Sequence, residues 1–150
     1  MSTKGLLLLL SGPNLDLSGE RDPAVYGHES LEDHVAAARG AAEALGYGLE
    51  HFQSNHEGDL IEAVHGARGR AVAIVVNAGA LTHTSWALHD ALDAYDGVVI
   101  ELHLSNPAAR EPFRHISTIA PVADGLIAGL KGVGYPLAVE AAVRLLATRP

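Results

Sequence analysis

Two short runs of uninterrupted apolar residues, 5–10 and 71–76, and a third nearly so at 98–102, constrain this chain most. A strand with one face in water alternates apolar and polar side chains. A continuous run instead asks for cover on both faces, which is the signature of a parallel sheet between helical layers. At five or six residues each, the runs are far below the roughly 20 that a membrane helix needs. The first run follows Lys4 but gives way at once to Ser11-Gly12-Pro13-Asn14, which fits a strand and turn and not a secretory leader.

Helical periodicity fills the gaps. Ser30 and Asp33 form a capping-box start, Leu31, Val35, Ala38, Ala42 and Leu45 fall on one face, and Gly46 stops the helix. Leu60, Ile61, Val64 and Ala67 mark a second helix that stops near Gly69. Trp86, Leu88, Leu92 and Tyr95 mark a third. Pro136 suits the first turn of a terminal helix through Val139, Val143 and Leu146. A weaker strand is expected at 49–53 and a last strand at 125–130. Residues 11–29 read as one long irregular loop, a length that tends to be functional. The order β-α-β-α-β-α-β-loop-β-α predicts an α/β fold with a five-stranded parallel sheet and helices on both faces. At 150 residues one domain, 1–150, is expected.

Ligands of an open parallel sheet bind beyond the carboxyl ends of its strands. Three expected strands end in polar clusters: Ser11 to Asn14, Asn77 to Ser85, and His103 to Asn106 with Arg110, Arg114 and His115 beyond. The topology brings them to one edge. The sequence lacks a Gly-x-Gly-x-x-Gly or Walker loop and a Gly-x-Ser-x-Gly elbow, which argues against nucleotide binding and α/β-hydrolase chemistry. There is no cysteine, and the formal charge of −8 disfavours nucleic acid. The nine histidines show no ligand spacing, so no metal is expected. His28, His34, His51, His65 and His89 read as surface or loop residues. What remains is Asn, His, Ser, Arg and a loop Tyr, a set suited to acid–base work on an oxygen-rich anion. A ligand sensor or receiver on the same fold, or a metal-dependent hydrolase, stays open on these grounds. The strand ends carry Asn and His where a receiver needs an acceptor Asp.

Six segments in order and spacing then show a resemblance. Ser-Gly-Pro-Asn-Leu (11–15), Asp-Pro-Ala-Val-Tyr-Gly (22–27), Gln-Ser-Asn-His-Glu-Gly (53–58), Asn-Ala-Gly-Ala-Leu-Thr-His-Thr-Ser (77–85), Glu-Leu-His-Leu-Ser-Asn (101–106) and Arg-Glu-Pro-Phe-Arg-His (110–115) are similar to those of type II 3-dehydroquinases. The resemblance implies a flavodoxin-like fold and a cofactor-free hydro-lyase of the shikimate pathway. Such an enzyme converts 3-dehydroquinate to 3-dehydroshikimate through an enolate. It implies a lid at about 15–28, with Tyr26 as general base and Arg21 as the lid arginine. A free tyrosine has a pKa of about 10, so this role requires nearby cations, for which Arg21 and Arg110 are suitable. By the same resemblance His103 is the general acid, with Glu101 two residues back on the same face to orient it. Asn14 holds the water that stabilises the enolate oxygen. Asn77, His83 and Arg114 contact substrate oxygens, and the amides of Leu104 and Ser105 bind its carboxylate. Asp90 reaches the site of a neighbouring subunit in a homododecamer of four trimers. A cytoplasmic location is the default. Alone, His103 is as readily a hydrogen-bonded strand-end histidine, Asn14 a turn residue, and Asp90 an exposed helix charge. Ser11, His89, Pro107-Ala108 and Ile116 depart from the usual family residues, without removing an implied catalytic group.

Overall fold

The apolar runs become the centre of a five-stranded, all-parallel sheet in a computed structural model that describes residues 3–149. Its strands are β1 (Leu6–Ser11), β2 (Gly48–Gln53), β3 (Ala73–Asn77), β4 (Val98–His103) and β5 (Gly125–Ala128). They lie in the order β2-β1-β3-β4-β5, the flavodoxin-like order. The helices are α1 (Pro23–Tyr26), α2 (Leu31–Ala44), α3 (Glu57–Ala67), α4 (Trp86–Asp93) and α5 (Gly134–Thr148).

Period-two geometry sends successive leucines of β1 into different cores. Leu7 and Leu9 pack with Val35, Ala38 and Ala42 of α2 and with Tyr135, Ala138 and Val139 of α5. Leu8 and Leu10 pack on the other face with Leu60 and Val64 of α3 and Leu88 and Leu92 of α4. Burying one such side chain contributes about 1.5–3 kcal/mol. The unbroken apolar run is therefore a direct consequence of helices on both faces.

The capping box is present: Ser30 Oγ accepts from the Asp33 amide at 3.1 Å, and Asp33 Oδ2 accepts from the Ser30 amide at 3.0 Å. The Ser30 backbone amide, with a smaller contribution from the Ser30 side chain, holds the Asp33 carboxyl below its usual range. Gly46 leaves the helix at φ 88°, the left-handed region that glycine enters freely.

The parallel alignment also fixes the functional edge. Ser11 pairs with Asn77, and the Gly12 amide donates to the Asn77 carbonyl at 2.8 Å. A Cβ on Gly12 would lie 2.4 Å from the Ala78 carbonyl oxygen, so only glycine lets the loops leaving β1 and β3 run this close.

The structure differs from the expectations in several places. The 11–29 stretch is not wholly irregular. It holds a 3-10 turn at Leu15–Leu17 and the single-turn helix α1, whose Asp22 cap and Pro23 start are ordinary helix signals. Tyr95 lies beyond the end of α4, where its hydroxyl donates to the Ala71 carbonyl at 2.6 Å and burial pushes it up to about 12. Strand β5 stops at Ala128, leaving Leu130 outside the sheet. His34 is not a surface residue: it is 1% exposed on the inner face of α2 and stacks on Tyr135 at 4.7 Å. Helical spacing put it beside Val35 and Ala38, and its polarity concealed that.

Neither His34 ring nitrogen has a hydrogen-bond partner among the described residues, and the Glu29 carboxylate stands 3.7 Å away. Burial holds the imidazole below the usual histidine range, against a smaller opposing pull from Glu29 and Asp33. The unfolded chain therefore takes up this proton first. The resulting stability is present above the unfolded value of about 6.5 and is lost as pH falls from there to the folded value. Replacing the unpartnered ring with an apolar side chain removes a desolvation cost of ~1 kcal/mol or more. His34→Leu is expected to unfold about 2–4 °C higher at pH 7 and to lose less stability on acidification. Thermal scans at pH 7 and at mildly acidic pH check this. A lower midpoint with an unchanged pH slope would contradict it.

Candidate active site

The carboxyl ends of β1, β3 and β4 frame one cleft, and the segment 15–28 forms its outer wall. From β1, the turn after Pro13 places Asn14 at the rim with a left-handed backbone (φ 68°). That conformation is strained for most residues but accessible to asparagine. It is fixed from β2, where Asn55 Oδ1 accepts the Asn14 amide at 2.9 Å and is itself held by Gln53 Nε2 at 3.2 Å. Segment 53–58 thus has a physical function: it sets the Asn14 turn.

From the 15–28 segment, Tyr26 enters at the end of α1. Its hydroxyl oxygen accepts from Arg21 Nη2 at 2.9 Å and from Arg110 Nη2 at 2.7 Å. The Arg21 guanidinium lies 4.0 Å from the centre of the Tyr26 ring, within cation–π range. Arg110 arrives from beyond β4, braced by its Nη1 on Ser105 Oγ at 3.0 Å. The 15–28 segment is tied from outside the cleft by Lys131, whose Nζ donates to the Ala24 carbonyl at 3.0 Å.

From β4, Glu101 and His103 share a face. Glu101 is 2% exposed, and its Oε2 stands 2.5 Å from His103 Nε2. Such a short contact with a buried carboxylate is characteristic of a charge-assisted bond. It leaves Nδ1 as the imidazole atom for the cleft. Leu104 and Ser105 continue the wall past His103.

From β3, Asn77 donates through Nδ2 to the Tyr135 hydroxyl at 3.4 Å, and its Oδ1 accepts the Gly79 amide at 3.2 Å. Burial pushes Tyr135 up to about 12, so it stays a neutral partner. His83 Nδ1 donates to the Ile116 carbonyl at 2.7 Å, which leaves Nε2 free to face a ligand. Arg114 donates through Nε to Glu111 Oε2 at 2.8 Å, and that bond holds the exposed Glu111 carboxyl below its usual range.

Arg21, Arg110 and Arg114 thus converge on one cleft of an acidic chain. The arrangement suits a small anion, with a phenol and an imidazole as proton-transfer groups. Ten of the sequence-selected residues line it: Asn14, Arg21 and Tyr26; Asn77 and His83; His103, Leu104, Ser105, Arg110 and Arg114. Glu101 stands directly behind His103. Asp90 is exposed on α4 and is not brought to the cleft of its own chain. Sequence reasoning missed Tyr135, Ser117 and the action of Asn55. Segment 53–58 was a signal for the last, whereas Ser117 and Tyr135 gave none. Ser11, one of the departures from the usual family residues, does not line the cleft. It is fully buried with His51 Nε2 2.9 Å from its Oγ, so His51, expected at the surface, has a buried partner.

Comparison with known proteins matches residues 5–143 to the family model described as dehydroquinase class II. The chain is 50% identical over 146 residues to 3-dehydroquinate dehydratase 2 of Pseudomonas putida, covering 97% of this chain and 98% of that one. It is 54% identical over 142 residues to 3-dehydroquinate dehydratase 2 of Ralstonia nicotianae, covering 91% and 92%. Among solved structures, the type II dehydroquinase of Butyrivibrio crossotus superposes with a TM-score of 0.89 at 38% identity, covering 93% of this chain and 97% of that one. With a family match across almost its whole length and relatives at half identity or more, this chain belongs to the class II dehydroquinases.

Proposed function

We propose that the chain is one catalytic domain that dehydrates 3-dehydroquinate to 3-dehydroshikimate by anti elimination through an enolate. The relatives' activity supports the overall reaction. The observation that carries the mechanism is the pair of guanidiniums on the Tyr26 oxygen. Arginine only donates, so neither contact can accept the phenol hydrogen, and both bonds strengthen as the oxygen gains negative charge.

In this reading Tyr26, as phenolate, takes a proton from the carbon beside the ketone. The C–H electrons move into the enolate, which is stabilised by a water held at Asn14, a donor placed where charge develops. The enolate then collapses to the conjugated ketone. The C–O bond breaks, and His103 gives its proton to the departing hydroxyl, which leaves as water. Tyr26 returns its proton to solvent and His103 is reprotonated, so the net change is loss of one water. Arg21 stabilises the transition state from the lid, which excludes solvent when closed. Asn77, His83 and Arg114 bind substrate oxygens, and the amides of Leu104 and Ser105 bind the carboxylate. No cofactor is required. Lys4 and Lys131 are the only lysines of the sequence, and neither lines the cleft, so an imine route has no amine at hand.

For the assembly, the family resemblance supports a cytoplasmic homododecamer of four trimers in which Asp90 reaches a neighbouring site. The large apolar side chains left exposed, Trp86, Leu126 and Val133 among them, are consistent with burial against other copies.

Three measurements test these statements. Incubation with 3-dehydroquinate should generate the absorbance of the conjugated enone, undiminished by chelation or by pretreatment of the enzyme with borohydride in the presence of substrate, the reagent being removed before assay. Inactivation by borohydride would indicate an imine and overturn the mechanism. Tyr26→Phe should cut kcat by three orders of magnitude or more, at the upper end of general-base contributions of roughly 10²–10⁴. It should leave affinity for a ring-matched inhibitor nearly intact, and near-normal turnover would remove Tyr26 as the base. Light scattering at micromolar concentration should report a particle twelve times the 15.6 kDa chain mass. A monomer would refute the assembly.

A further inference from the structure

We infer that Ser117 is a positioning residue for the general acid, acting through Glu101. The inference rests on the reading of His103 as proton donor. Ser117 Oγ lies 3.0 Å from Glu101 Oε1 and 2.9 Å from Oε2. The same oxygen accepts the amides of Ile119 at 3.1 Å and Ala120 at 3.0 Å. A hydroxyl has one hydrogen and two lone pairs. The two amides occupy both lone pairs, so the hydrogen is directed to the carboxylate.

The polarity of the whole relay follows. Glu101 accepts from Ser117 on one side, and its Oε2 faces His103 Nε2 at 2.5 Å on the other. Ser117 and His103 are its only side-chain partners among the described residues. Gripped at both oxygens, the carboxylate cannot turn about its last side-chain bond. The imidazole hydrogen on Nε2 then points at Glu101, and Nδ1 is the atom that delivers a proton into the cleft. Two backbone amides thereby orient the acid catalyst through one hydroxyl and one buried carboxylate. Without the hydroxyl, Glu101 is free to rotate and His103 loses its fixed aim. A loss of aim slows proton donation and leaves substrate binding to Arg114, Asn77 and His83.

Ser117 is not alone in keeping its own segment in place. The next residue anchors it independently: the Thr118 amide donates to Thr82 O at 2.8 Å, and Thr118 Oγ1 donates to Thr82 O and Ser85 O, both at 3.1 Å. His89 Nδ1 adds a bond to the Thr118 carbonyl at 2.6 Å. Removal of the Ser117 hydroxyl therefore perturbs the relay more than the loop.

The test compares near-isosteric replacements. Ser117→Thr keeps the hydroxyl and Ser117→Val lacks it. Ser117→Val and Ser117→Ala are expected to lower kcat about tenfold with KM within about twofold, the pattern of an interaction made only in the transition state. Ser117→Thr is expected to restore most of the rate. On a Glu101→Gln background, Ser117→Ala should cost less than twofold more, because residues acting through one contact are not additive. His103→Asn is measured alongside, and retained turnover there would overturn the acid assignment and this inference with it. If His103→Asn is inactive while Ser117→Val and Ser117→Ala match the parent in kcat, the acid stands and the role of Ser117 falls. That role falls equally if the losses of Ser117→Ala and Glu101→Gln multiply in full, or if Thr and Val behave alike at position 117.

Discussion

Side-by-side parallel pairing of β1 and β3, with helices over both faces, is the constraint on which the molecule depends. It requires each strand to be apolar all round, and it makes β1 the point where the chain turns first toward β2 and later back toward β3. At such a switch the loops leaving adjacent strands diverge and open a crevice. Gly12 passing against Ala78 shows how close the backbones come before they part. Every polar group of the candidate site is placed by this edge or by segments that fold over it.

The cleft inverts the charge of the chain that carries it. An acidic protein concentrates three arginines at one strand edge and places a single carboxylate, Glu101, behind the imidazole. The separation has a chemical logic. The phenol oxygen meets two guanidinium groups, whereas the imidazole is backed by a carboxylate. In the proposed mechanism the two groups have opposite tasks, and fixing their surroundings in advance avoids reorganisation during the reaction. Two of the charged groups are braced by hydroxyls, Arg110 by Ser105 and Glu101 by Ser117, while the neutral Asn77 is held by Tyr135.

Much of the fold was readable from patterning. The capping box at Ser30, the stop at Gly46 and the continuous runs of β1 and β3 are local statements that the structure repeats. Errors arose where tertiary contact overruled local pattern. Tyr95 kept helical spacing with Leu88 and Leu92, yet the helix ends before it and its hydroxyl reaches the Ala71 carbonyl. His34 looked solvated by residue type, but its place on α2 faces the core. The short α1 was hidden in a loop, since four residues provide too little periodicity to detect.

For the site, the amino-acid sequence alone determined which chemistry was available: one lid tyrosine, strand-end histidines and asparagines, no thiol, and arginines without a nucleotide loop. It also determined the strand edge at which they gather, because alternating strands and helices permit few topologies. Only the tertiary structure decided which groups touch. Tyr26 and Arg110 are 84 residues apart and meet at 2.7 Å, and Asn14 depends on Asn55 from beyond a different strand. Hydrogen bonds reach about 3 Å and act only between atoms brought together. Their partners are set by packing over long chain separations, about which local sequence pattern carries no direct record.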